Sequence, residues 1–339
     1  MVHCSILLLF LNIFSITSIF CQEYPDTRVD SLLKSGIRYI INQDYINAEA
    51  KFNQLDVEHP NLPIGKIYIT ACRIAESFDY AEEYDADYIE TTLNEAKEII
   101  EEQLNEDDDN LWYIYFFALV EGYTSYFEAL NKNWLTSLSK GLSSISAFEE
   151  CLSFDDKFYE SYIAIGTFEY WKSRKTEFLI WMPFYDDDTE VGIENLRTAV
   201  KQASYNSHLA IYSLIWIYID QKNFNGAIEL GESALEEFPD SRYFKWGLAR
   251  AYEEDNPKRS IELYQEILES YPSDRKQNHI NFIKLNHKMA QQYAKLGENE
   301  KALLLCEKIL AIKNLSEFEL SKVSRRIERV TELKSSLIE

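Results

Sequence analysis

The stretch His208–Pro239, HLAIYSLIWIYIDQKNFNGAIELGESALEEFP, decides the fold. Apolar residues at Ile211, Leu214, Ile215 and Tyr218 recur at the spacing of one helix face. A polar break follows at Asp220–Asn225, and a second periodic run then carries Ala227, Ile228, Leu230, Ala234 and Leu235. Pro239 stops that run, because proline has no N–H to continue the ladder. The stretch therefore reads as two short helices joined by a turn. Such a hairpin buries its apolar faces on neighbouring units.

Further hairpins stand on either side. Ser31–Pro60, SLLKSGIRYIINQDYINAEAKFNQLDVEHP, has Gly36 and Tyr39 on its first helix, Ala48 and Phe52 on its second, and Pro60 at its end. Small residues at 36 and 48 suit the closest approach of the two helices, with Tyr39 and Phe52 filling the space beside it. Ser241–Pro272 repeats the pattern through Ala249, Tyr252, Ser260, Tyr264 and Pro272, with one residue fewer in the turn. The last unit places Ala290, Tyr293, Gly297 and Ala302 in register. Tyr218 precedes Ala227 by nine residues, and Pro239 follows Ala234 by five. In these spacings the chain resembles the tetratricopeptide repeat family. The resemblance covers most of residues 31–314, with good units starting near Ser31, Ser207, Ser241 and Asn281 and more degenerate ones between. It implies an all-α fold, a right-handed α-solenoid of antiparallel helix pairs.

Between the good units the chain stays helical. Leu62–Gln103 has Ile67, Ala71, Ile74 and Ala75 on one face, and Asp109 or Asn110 is placed to cap the next helix. Leu111–Leu130 is the most apolar stretch after residue 21. Glu121 interrupts it, so it reads as a fully buried central helix rather than a membrane span, with Leu138–Phe154 as its partner. Phe158–Lys172 opens another unit, with Gly166 at the close-contact place. The insertion at 171–189, WKSRKTEFLIWMPFYDDDT, delays the second helix to Val191–Val200, where Gly192, Leu196 and Ala199 take the expected small, large and small places. The charged amphipathic segment Phe318–Leu337, within 315–339, is expected to cap the array.

The N-terminal 21 residues are different in kind. Met1–Cys21 has no Asp, Glu, Lys or Arg, and charge begins abruptly at Gln22–Asp30, a short polar lead. This is the pattern of a signal peptide, giving an exported protein, periplasmic or envelope-associated, or else secreted. Cys21 leaves a second reading open, in which that cysteine carries a lipid after cleavage, and an uncleaved N-terminal anchor is the third. The three later cysteines, Cys72, Cys151 and Cys306, form no C-x-x-C pair and read as small buried residues.

Composition narrows function by exclusion. Only 10 Gly and 7 Pro occur, against a many-turned β protein, and the formal charge is −23. Nucleic-acid affinity comes mainly from Lys and Arg neutralising phosphates, so a nucleic-acid partner is disfavoured. An anionic membrane surface is disfavoured for the same reason, leaving a possible lipid at Cys21 as the one membrane contact expected. No G-x-S-x-G, Walker A, G-x-G-x-x-G or H-E-x-x-H pattern appears. The acidic run Asn105–Asn110 lacks the EF-hand spacing. No catalytic residue, metal or cofactor is therefore expected.

Binding remains. In the family that the chain resembles, the first helices of successive hairpins line a concave groove for a protein or peptide partner. That pattern places Tyr212, Trp216 and Asp220 in the groove, then Tyr243, Trp246, Arg250 and Glu253, then Lys284, His287 and Gln291. The family's carboxylate clamp needs several Lys, Arg and Asn residues together, which this groove does not assemble. Insertions in repeat arrays often map to the binding face. Here Arg174, Trp181, Phe184 and Tyr185 are the candidates, the alternative being that the aromatics plug the groove. The reading is a non-enzymatic scaffold for protein–protein contacts. The other reading is a surface protein that holds a solute or glycan on exposed Trp and Tyr.

Overall fold

The computed structural model describes residues 22–176, 187–272 and 279–338, which contain fifteen helices and no strand. Residues 1–21, with Cys21 and the expected signal, lie outside the described residues, as do Trp181, Phe184 and Tyr185 of the insertion. The helices form seven consecutive pairs among the described residues. They are α1 (Thr27–Ile41) with α2 (Tyr45–Glu58), α3 (Ile64–Tyr80) with α4 (Ala86–Glu106), and α5 (Leu111–Leu130) with α6 (Trp134–Phe154). Next come α7 (Ser161–Thr176) with α8 (Thr189–Gln202), and α9 (Ser207–Asp220) with α10 (Phe224–Glu237). Then follow α11 (Arg242–Asp255) with α12 (Pro257–Ser270) and α13 (His279–Lys295) with α14 (Asn299–Leu310), closed by α15 (Glu317–Ile338). Each pair packs on the next, giving an all-α solenoid of antiparallel helix pairs.

Short polar side chains start these helices by accepting from the first free backbone N–H groups. Asp26 does so for α1, inside the stretch expected to be polar lead, and Asn110 does so for α5. One turn recurs between the helices of a pair. Gln43, Lys132, Lys222 and Gly297 all take positive φ, and the next residue's N–H donates five residues back, to the carbonyls of Tyr39, Glu128, Tyr218 and Tyr293. The α11–α12 turn lacks it: Asn256 ends one helix and caps the other, with Pro257 at the first helical position. That is the consequence of the missing residue.

Close contacts sit where small residues were expected. A Cβ on Gly36 would lie 2.4 Å from the Phe52 ring. Gly166 and Gly192 face each other across α7 and α8, and a Cβ on either would lie 2.6 Å from the other's carbonyl oxygen. All three later cysteines are buried and free.

Two findings differ from expectation. The α5 helix is buried mainly from Ile114 to Glu121, and beyond that only Phe127 is buried towards the turn into α6. Tyr126, Leu130, Leu135 and Leu138 are left exposed at that end. Glu121, in its buried middle, is neutralised by Lys97 at 3.2 Å and Lys140 at 3.0 Å. No helix among the described residues is long and apolar enough to cross a membrane.

The array also curls onto itself. Arg242 Nε donates to both oxygens of Asp79, at 3.0 and 3.2 Å, across 163 residues of chain. Asn281 Nδ2 and the Tyr271 hydroxyl donate to the Asp79 carbonyl at 2.7 and 3.2 Å. Nearer the start, the Tyr24 N–H donates to the Tyr205 hydroxyl, which itself donates to Asp30 at 2.7 Å. The first pairs are thereby held against the turns that precede α9 and α11.

Candidate partner-binding groove

The first helices of three successive pairs contribute to one recess of about 830 Å³. Trp171 comes from α7, Trp216, Ile219 and Asp220 from α9, and Arg250 and Glu254 from α11, with Lys222 and Phe224 at the α9–α10 turn. Helical spacing produces the set: 216 and 220, like 250 and 254, are one turn apart and so share a face. Asp220 receives Arg174 Nε at 2.7 Å and the Tyr170 hydroxyl at 2.8 Å. Burial pushes the Asp220 carboxyl up, but those two hydrogen bonds and the Arg174 charge outweigh it and hold it below its ordinary range. The recess therefore combines two indoles with fixed charges of both signs.

Beside it the aromatic residues nominated from sequence pack on one another. Tyr212 and Tyr243 stack with ring centroids 4.1 Å apart, and Tyr212 meets Trp216 edge-on at 6.1 Å. Trp246 meets Tyr264 edge-on at 5.6 Å. Burial pushes the Tyr243 hydroxyl well above its ordinary range, with Tyr212, Tyr123 and Tyr126 nearby, so α5 approaches this part of the groove. Trp216 and Arg250 line the recess, whereas Tyr212, Tyr243 and Trp246 lie outside its lining, half-buried against the core as Trp216 is.

Glu253 is buried at the end of α11 and collects donors from three helices. Arg250 reaches it at 2.8 Å, the Tyr264 hydroxyl at 2.6 Å and Lys288 of α13 at 3.0 Å. Arg250 thus joins the recess to α13, where Lys284 and His287 lie along the seam with α15.

Sequence reasoning missed Trp171, Ile219, Lys222, Phe224 and Glu254. Trp171 was legible: it stands five residues after Gly166, as Asp220 stands five after Ile215, and both precursors occupy the helix-contact place. Extending the groove register one unit towards the N-terminus reaches it. Phe224 lies in a turn, to which the register of first helices does not extend.

The model of the tetratricopeptide repeat family matches residues 243–274, the α11–α12 hairpin. The chain is thus a helical-repeat protein that carries a tetratricopeptide repeat. No curated protein matches it in sequence. Among solved structures it is similar to the APC/C hetero-tetramer Cut9–Hcn1, at 12% identity, covering 92% of this chain and 48% of that one, with a TM-score of 0.50. It is also similar to YrrB, a tetratricopeptide-repeat protein with an unusual peptide-binding site, at 14% identity, 66% and 96% coverage and a TM-score of 0.44. A tetratricopeptide repeat protein from Parabacteroides merdae matches at 12% identity, 93% and 100% coverage and a TM-score of 0.38.

Proposed function

We propose that this protein is a non-enzymatic, exported scaffold that holds an extended segment of a partner polypeptide in the recess between α7, α9 and α11. One observation carries the reading: three successive first helices converge on a space of about 830 Å³ lined by Trp171, Trp216, Phe224 and Arg250. Tryptophan and arginine are common anchors of protein interfaces, since they offer large contact area and directed donors. Export, with a place in the periplasm or at the envelope, rests on the charge-free segment Met1–Cys21.

Replacing Trp216 with a photoreactive residue in the full chain, with a matched probe at exposed Leu135 on the outer hairpin, tests the binding face. Protein adducts at 216 and few at 135 are expected; the reverse pattern overturns the reading. Lack of protein adducts together with tryptophan quenching by an oligosaccharide favours the solute-binding alternative, which the same paired indoles support. Mass spectrometry of protein recovered from cells tests export. A mature start near Gln22, with or without a lipid on Cys21, is expected, and an intact Met1–Cys21 segment rejects it.

A further inference from the structure

The chain carries 57 acidic residues against 34 Lys and Arg, yet one place reverses that balance. Where α13 meets α15 and the end of α11, Arg250, Lys284, Lys288, Lys322, Arg326 and Arg329 gather. Glu253 answers Arg250 and Lys288, and Glu254 answers Lys295 at 3.0 Å. Among the described residues no carboxylate comes within ion-pair distance of Lys284, Lys322, Arg326 or Arg329.

The two inner cations are half-buried. Burial, with Arg326 and Lys322 beside it, brings the Lys284 amine down to about 8. Burial and the neighbouring Arg329 also lower Arg326, despite Tyr264 and Glu253 acting the other way. His287, 1% exposed, accepts from Arg326 Nη1 on Nδ1 at 3.4 Å. Its Nε2 then bears the proton and has no acceptor among the described residues.

Such an arrangement opposes folding, because like charges repel and a buried donor without an acceptor loses its hydration. Nor is the charge needed to hold α15. Ile280, Ile283 and Ala290 of α13 already bury against Val323 and Val330 of α15, in one apolar cluster with Cys306 and Ile309. A cluster that destabilises the empty fold, and that the fold does not require, is explained by a ligand of opposite charge.

We propose that the α13–α15 junction is an oxyanion site, in which Lys284 and Arg326, backed by Lys322 and Arg329, hold a carboxylate or phosphoryl group on a partner polypeptide. Three of its four cations, Lys322, Arg326 and Arg329, come from α15. Arg250 makes it continuous with the Trp216 recess: a segment anchored there by an apolar side chain would place an acidic or phosphorylated residue at Lys284. The carrier of the oxyanion rests on the scaffold reading above. The charge site itself does not, and free anions can probe it.

The full chain, at constant ionic strength, is titrated separately with inorganic phosphate and with acetylated, amidated hexaglutamate, following the His287 imidazole by NMR and affinity by calorimetry. The expected result is a shift of the His287 signal, without one at His208, and binding weakened on the order of tenfold or more in Lys284→Gln/Arg326→Gln. Binding of phosphate alone assigns a phosphoryl group, and binding of hexaglutamate alone a carboxylate; either supports the site. An unmoved His287 signal with both probes, or affinity unchanged in the double variant, overturns it. So does a double variant that melts well below the parent, since the cations would then be structural. Anion binding without adducts at position 216 would sink the scaffold reading and leave the anion site standing.

Discussion

Two of the places where the molecule takes charge out of water treat it in opposite ways. At the turn before α7, Glu160 is 4% exposed and accepts the Tyr205 N–H at 2.7 Å, the Asn206 N–H at 3.3 Å, Asn206 Nδ2 at 2.8 Å and the Tyr115 hydroxyl at 3.4 Å. Asn206 Nδ2 also reaches the Tyr68 hydroxyl at 2.9 Å. At the α13–α15 junction, half-buried Lys284 and Arg326 have no carboxylate within ion-pair distance among the described residues, and His287 Nε2 has no acceptor among them. A buried charge surrounded by donors makes a joint, here between α3, α5 and the turns before α7 and α9. A buried charge without a partner is a vacancy for one. The first kind is expected to lower stability when removed and the second to raise it.

The largest effect that tests this contrast is at Glu160. Glu160→Ala strands four donors in the interior and should lower unfolding free energy by about 4 kcal/mol in urea titration. A loss under about 1 kcal/mol would mean that water reaches the joint and that the contrast fails. Next comes the long-range pair that closes the curl. Asp79→Ala leaves the Arg242 guanidinium buried between the rings of Tyr80 and Tyr271, at 5.6 and 4.8 Å, and should lower unfolding free energy by about 3 kcal/mol. Double substitution with Arg242→Met should recover part of that loss, and a double variant as unstable as the single one would argue against a charge penalty.

Acid is the next test. His208, beside the Glu160 joint, and His287 are both brought by burial from 6.5 down to about 4, with the surrounding cations adding to the shift at His287. The unfolded chain binds their protons first, so stability from each is full above pH 6.5 and is lost as pH falls through about 4. The slope corresponds to about 3 kcal/mol per histidine at full loss. Replacing His287 with Gln should flatten the stability–pH curve between these limits, and an unchanged curve would place the imidazole in contact with water. The smallest effect has the opposite sign. Lys284→Met should raise stability by about 1 kcal/mol without ligand, read as a higher urea midpoint at unchanged slope. Destabilisation would show that the amine has a partner in the fold.

How much of this could be read from the chain varies with the kind of contact. The hairpins were legible because local rules make them. Gly36 against Phe52, and Gly166 against Gly192, follow from a fixed helical period and a short turn. Even the shortened α11–α12 turn showed as one missing residue before Pro257. Trp216 and Arg250 were placed in the groove by extending that period, and both line the recess. The same extension also nominated Tyr212, Tyr243 and Trp246, which lie half-buried outside the recess lining. A register specifies which way a side chain leaves its helix and not what another part of the chain brings to meet it.

The sequence by itself determined an all-α array of helix pairs and the residues at several close contacts, among them Gly36, Gly166 and Gly192. These follow from propensity, capping and periodicity, which act over a few residues. The curl of the array was decided only in three dimensions. Asp79 with Arg242, Glu160 with Asn206 and Tyr115, and Lys284 with Arg326 are separated by tens of residues or more, and no local spacing relates them. Their meeting depends on the small rotation between successive pairs, summed along the solenoid. That sum sets which buried charges find partners and which are left to bind one.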